Sequence, residues 1–183
     1  MQAIYGTPLQ WVVMLAPIGL VFFLAAKVNS MQASTAQTVF WVFAGLMGLS
    51  MAYIFVAYTG ESVTRVFFIT AGAFAGLSLY GYTTKKNLSG MGSFLIMGVI
   101  GLIIASVVNI FLASTALQFA ISVLGVLIFA GLTAYDTQKI KAIYMESDGT
   151  AVAEKKAIMG ALTLYLDFIN MFIFMLHLFG NRE

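Results

Sequence analysis

Six long apolar runs divide the chain: Leu9–Ala26, Thr38–Tyr58, Ser62–Tyr82, Met91–Ala113, Ala116–Tyr135 and Ala157–Phe179. Each is long enough to cross a hydrocarbon core of ~30 Å. Helices are predicted for all six, because a segment in lipid must satisfy its own backbone polar groups, and a barrel would need short alternating strands instead. Connections are short except for Asp136–Lys156, which is polar and contains Ser147-Asp148-Gly149, a turn signal. The pattern therefore predicts an all-α integral membrane protein, six transmembrane helices in one domain over residues 1–183, with no repeat at a fixed period. Pro17 removes one helical hydrogen bond and should kink the first helix. Met1–Gln10 carries no basic residue and the run after it lacks a small-x-small cleavage site, so a retained helix is predicted in place of a signal peptide.

Composition sharpens this. Of 183 residues, 61% are hydrophobic and 9% charged, against about 25% charged in soluble domains. A net charge of +2 is too small to imply a nucleic-acid partner, and no run of four basic residues supports one, so none is expected. Without cysteine there is no disulfide, thiol nucleophile or thiolate metal site. Eleven Met and sixteen Phe suit adaptable packing between apolar helices.

The basic residues set an orientation. Lys27, then Lys85 and Lys86, then Lys139, Lys141, Lys155 and Lys156 follow the first, third and fifth segments, while the opposite side has only Arg65 and Arg182. The positive-inside rule places the lysine side in the cytoplasm and both termini outside. Tyr80, Tyr82 and Tyr144 stand beside those lysines, where an interfacial aromatic belt belongs. Gly72–Gly76 forms a GxxxG, Ala44 and Gly48 keep its spacing, and Gly98, Gly101 and Gly125 thin their own helices. Such spacing predicts close helix contact, inside the monomer or between copies.

Asp167 lies in the first half of the last apolar run, with Asn170 one turn on. A carboxylate at such depth costs about 2.5–3.5 kcal/mol on insertion scales. The helix is therefore expected to be enclosed by the others, with Asp167 turned toward a partner or a wet cavity. Asp136 ends the fifth segment, either as a solvated carboxylate near Lys139 or as a functional acid; a helix C-terminus disfavours its charge. Segments five and six run antiparallel, yet at 1.5 Å per residue a depth offset of up to ~15 Å separates the two acids. A direct pair requires helix six to start inside the membrane or helix five to end there. Glu61 and Arg65, at i and i+4, are expected to form an interfacial ion pair, with an outer pore mouth as the second reading. His177 near the outer end reads as interfacial packing or a proton relay, and Asn109 as a helix-contact residue. No Walker loop, nucleophile with its base or His/carboxylate metal spacing occurs, so no enzyme and no cofactor are expected.

The runs Ala130-Gly-Leu-Thr-Ala-Tyr-Asp136-Thr-Gln-Lys-Ile and Ala161-Leu-Thr-Leu-Tyr-Leu-Asp167-Phe-Ile-Asn170 resemble the signature of the transmembrane Bax inhibitor motif (Bax inhibitor-1) family. Thr64–Lys86 resembles a third block of its bacterial members, and the likeness spans nearly the whole chain. The resemblance implies seven helices with the last enclosed by the other six. Six are visible here, so either a first helix precedes Met1 in a longer chain or this is a six-helix member. It also implies a bacterial inner-membrane location and a pH-sensitive calcium leak in which two aspartates form a hydrogen-bonded latch near the cytoplasm. Asp136 and Asp167 match those positions, as pH-sensing residues and transient calcium ligands. A further family acid in the second helix falls near Pro17, where this chain has none. Asn170, Arg65, Glu61 and His177 are the auxiliary candidates. Bacterial relatives are associated with a membrane-bound AAA protease and its scaffold, which makes a non-transporting regulator the alternative. A proton-coupled transporter using Asp167 alone is a third reading, and the oligomeric state stays open.

Overall fold

The computed structural model describes residues 9–144 and 148–181. The stretch Met1–Pro8, Ser147 of the turn signal and Arg182 lie outside those residues. All described regular structure is helical: α1 (Leu9–Lys27), α2 (Ala33–Ser50), the short α3 (Ile54–Ala57), α4 (Gly60–Thr83), α5 (Ser89–Leu112), α6 (Thr115–Ile143) and α7 (Thr150–Phe179), with single 3-10 turns at Val28–Ser30 and Met51–Tyr53. Five spans among the described residues are long and apolar enough to cross a membrane: Ala33–Ala57, which joins α2 to α3, and each of α4 to α7. The protein is an all-α, multi-pass membrane protein.

Two boundaries differ from the sequence expectation in a way that matters. α6 continues to Ile143, past the polar stretch at Asp136, and α7 begins at Thr150, before the apolar run at Ala157. The long polar connection predicted from Asp136 to Lys156 is therefore mostly helix. An apolar run marks the part of a helix that lipid demands, while the helix itself ends only where its backbone loses partners. α1 runs unbroken through Pro17.

The chain divides into two compact units. One comprises the residues up to Val56 with Tyr144–Leu162. In it α1 pairs with α2 around buried Leu24, Val28, Ala36 and Phe43, and the first turns of α7 meet Ala33, Ser34 and Gln37 through Ala157 and Ile158. The other comprises Ala57–Ile143 with the residues from Thr163 onward. Its closest backbone pairings are α4 with α6 and α5 with α6.

Within this second unit, α7 reaches α4 through rings: Phe67 meets Phe168 and Phe172 edge-on, with centroids 5.7 and 6.2 Å apart, and Phe74 meets Phe168 at 5.5 Å. Phe174 stacks on Phe129 of α6 at 6.0 Å and covers Gly125. The far end of α7 is tied to the start of α4, where the Asn181 amide donates to Ser62 Oγ and the Thr59 amide to the Asn181 carbonyl. From Leu162 to Leu178 no residue is exposed, which agrees with the burial expected of this helix. α5 in contrast exposes Phe94, Met97, Ile104, Ile110 and Phe111, a surface suited to acyl chains. Buried hydroxyls bond within their own helices, Thr70 to the Val66 carbonyl, Thr133 to Phe129 and Ser122 to Gln118.

The small residues behave differently from one another. A Cβ on Gly81 would run into the Ala134 carbonyl, so α4 and α6 touch backbone to backbone there. Gly98 lies under Ile128 and Gly125 under Phe174, as close-contact positions should. Gly72, Gly76, Gly48 and Gly101 have open space where a Cβ would stand, so the GxxxG makes no close contact among the described residues. Spacing alone says that a backbone can approach; it does not say that one does.

Candidate functional site

Three consecutive residues of α6 address three different helices, because each step along an α-helix turns by about 100°. Ala134 faces α4 at Gly81, and Tyr135 lays its ring over Gly92 of α5. Asp136 is turned a further step, to α7, where its carboxyl meets that of Asp167 in a hydrogen bond. The same periodicity operates on α7. Asp167 and Phe174, at i and i+7, face α6, and Phe168 and Phe172 face α4.

The depth offset counted from the apolar runs is closed in two ways. Asp136 stands seven residues before the end of α6 and Asp167 seventeen after the start of α7. The first turns of α7 therefore belong to the other unit, and the acid lies beyond them. Side chains on a helix also lean toward its N-terminus. In antiparallel helices the two carboxyls consequently lean toward each other, which depth counted at Cα positions overlooks.

Asp167 is 4% exposed, and its Oδ2 has no hydrogen-bond donor among the described residues. Two ionised carboxylates are acceptors only. A hydrogen bond between them thus requires a proton on one of them, whose hydroxyl donates to its neighbour. Lys139, one turn beyond Asp136, is close enough to act on it electrostatically, and its Nζ lies 5.9 Å from the Tyr135 ring centroid.

The polar turn after Asp136 stays helical because its side chains find partners. Thr137 Oγ1 donates to the Thr133 carbonyl at 2.7 Å. Gln138 grips the α4–α5 connection from both ends of its amide, Nε2 donating to the Lys86 carbonyl at 2.8 Å and Oε1 accepting from the Leu88 amide at 2.9 Å. Lys141 Nζ donates to the Tyr82 carbonyl at 2.7 Å and lies 4.4 Å from that ring's centroid, capping the end of α4. Gln138 is the residue that sequence reading missed. Its partners lie about fifty positions away, so no local spacing signals it.

The other candidates stand apart from the pair. Asn170 turns its amide back onto the Leu166 carbonyl of its own helix at 2.8 Å. His177, ten residues along α7 from Asp167 and so ~15 Å away, packs edge-on against Phe174, with centroids 6.4 Å apart. Glu61 and Arg65 are both exposed and do not form the expected ion pair, whereas Lys156 pairs with Asp148 at 2.6 Å. In water such a pair gains little over solvation and loses side-chain freedom, and Glu61 is served already by the positive start of α4, capped by Thr59. Asn109 bridges α5 and α6: its amide donates to Gln118 Oε1, and its Oδ1 accepts from the Ser114 amide around the left-handed Ala113. Among the described residues, no three His, Asp or Glu side chains gather as a metal site.

Comparison with known proteins gives a consistent answer. The family model described as "Inhibitor of apoptosis-promoting Bax1" matches residues 1–183. A Caulobacter vibrioides protein is 54% identical over 179 residues, 97% of this chain and 72% of its own length. One from Rickettsia prowazekii is 48% identical over 182 residues, covering 100% and 75%. The inner membrane protein YbhL of Escherichia coli is 46% identical over 171 residues, covering 92% and 73%.

Proposed function

The chain belongs to the Bax inhibitor-1 family of membrane proteins, and from that membership we propose that it is a pH-sensitive calcium leak of the bacterial inner membrane, gated by Asp136 and Asp167. The observation that carries this reading is the carboxyl–carboxyl hydrogen bond between α6 and α7, with Asp167 Oδ2 left without a partner among the described residues. With its proton, the pair ties the two helices and the exit is shut. As pH rises the proton leaves, two like charges repel across the low-dielectric contact, and the helices part. The bared carboxylates are hard oxygen ligands that a calcium ion in transit can use, its remaining positions filled by water or backbone carbonyls. The lysine-rich ends of α4 and α6 then face the cytoplasm, with the C-terminus outside. The location is supported by the relative YbhL of Escherichia coli, an inner membrane protein. On this reading the chain is a conduit and performs no catalysis.

Calcium flux into proteoliposomes between pH 6 and 8 tests the latch. Wild type should pass more ion as pH rises, and Asp136→Asn and Asp167→Asn should each flatten that slope. An unchanged slope in both variants refutes it.

The open face at Gly72 and Gly76 favours a second reading, a regulator that docks a helix of a membrane-bound AAA protease or its scaffold. Recovery of a stable protease complex in mild detergent, together with no cation flux, would select it.

A further inference from the structure

Between the α4–α5 connection and the last turns of α6 lies a cleft of about 590 Å³, within the ~300–1,000 Å³ typical of small-ligand sites. Lys85, Lys86, Ser89, Tyr135, Gln138 and Lys139 line it, and no acidic side chain among the described residues does. We propose that this cleft binds a phosphate anion, carried on the headgroup of an anionic phospholipid.

Charge is the first support. Three lysines line one cavity, and among the described residues no carboxylate pairs with Lys85 or Lys86. Lys139 alone of the three interacts with an acid, Asp136. Like charges held together in this way repel unless an anion sits among them.

Rigidity is the second. The connection bearing Lys85 and Lys86 is not a free loop: Gln138 holds it by the Lys86 carbonyl and the Leu88 amide, and Asn87 Oδ1 accepts from the Ser89 amide at the start of α5. The lysines are thus presented from a fixed backbone, and only their side chains need order on binding.

Surroundings favour a lipid as the source. Part of the lining is apolar, through Ala142 and Ile143. Just past Ser89, α5 exposes Met91 and Phe94, on which acyl chains can lie while the headgroup stays in the cleft. The exposed Tyr82 and Tyr80 rings mark an interfacial depth. Basic pockets between transmembrane helices at this level suit such headgroups.

Native mass spectrometry of the full chain in mild detergent, titrated with phosphatidylglycerol, phosphatidylcholine or inorganic phosphate, tests the site. One phosphatidylglycerol per chain should be retained in preference to phosphatidylcholine. Affinity should fall about fivefold for each lysine removed, or ~25-fold in Lys85→Gln/Lys86→Gln. Lys27→Gln, a change at a lysine outside the cleft, should leave it unaltered. Inorganic phosphate that displaces the lipid with the same lysine dependence also supports the anion site and assigns it to a soluble ligand. The proposal is overturned if phosphatidylglycerol binds no better than phosphatidylcholine, or if Lys27→Gln costs as much as the double change.

Discussion

Asp167 has two oxygens and a single hydrogen-bonding partner, and that partner is another acid. A bond that needs a titratable proton can be broken by pH, whereas one made by an amide cannot, and this separates two substitutions. In Asp167→Asn the side-chain amide donates to the Asp136 carboxylate at any pH. Such a bond to a charged group is worth about 1.5–3 kcal/mol, enough to favour the closed form by one to two orders of magnitude. Flux should therefore be low and flat from pH 6 to 8. In Asp167→Ala the tie is absent and a hole is left, so flux should be equally flat but high. Opposite levels with the same loss of slope are the signature of a latch; matching levels in the two variants would mean that the carboxyl acts in some other way.

At the scale of elements, the contact between α4 and α6 at Gly81 positions the acids, since Ala134, Tyr135 and Asp136 follow one another around the helix. Gly81→Ala forces a methyl onto backbone that cannot yield and should cost about 1–3 kcal/mol. Gly72→Ala meets only open space and should be neutral, or stabilising by up to ~1 kcal/mol from helix propensity. Thermal melts of both variants in detergent decide this, and equal destabilisation would contradict the packing described. Gln138→Ala should release the Leu88 amide, buried and otherwise unpaired, and speed its hydrogen exchange at least tenfold with little effect on α7 amides. The six apolar runs and the two acids were legible because lipid imposes length and charge imposes cost. The meeting of Asp136 with Asp167 did not follow from spacing and was implied only by the family resemblance, for the polar turn Asp136–Lys141 reads as the end of a helix when its partners, on α4 and the α4–α5 connection, lie far away in sequence. The ion pair of Glu61 with Arg65 failed for the opposite reason, a correct local spacing to which water is indifferent.

At the scale of the whole molecule, sidedness links the acids to ion flow, because a latch on α6 and α7 senses the pH of whichever compartment its lysine-rich end meets. Seven lysines follow the first, third and fifth apolar runs of the sequence, against two arginines beside the others, and basic residues resist translocation. The absence of cysteine makes the side directly readable, since any introduced thiol is the sole reactive one. Lys85→Cys, in the α4–α5 connection, should stay unlabelled by a membrane-impermeant maleimide added to intact cells and react only after permeabilisation. Ala116→Cys, exposed in the first turn of α6 at the opposite end, should react in intact cells. The reverse pattern would put the acid pair near the outer surface. Cytoplasmic pH could not then work the latch, and any calcium flux would have to answer to the pH outside.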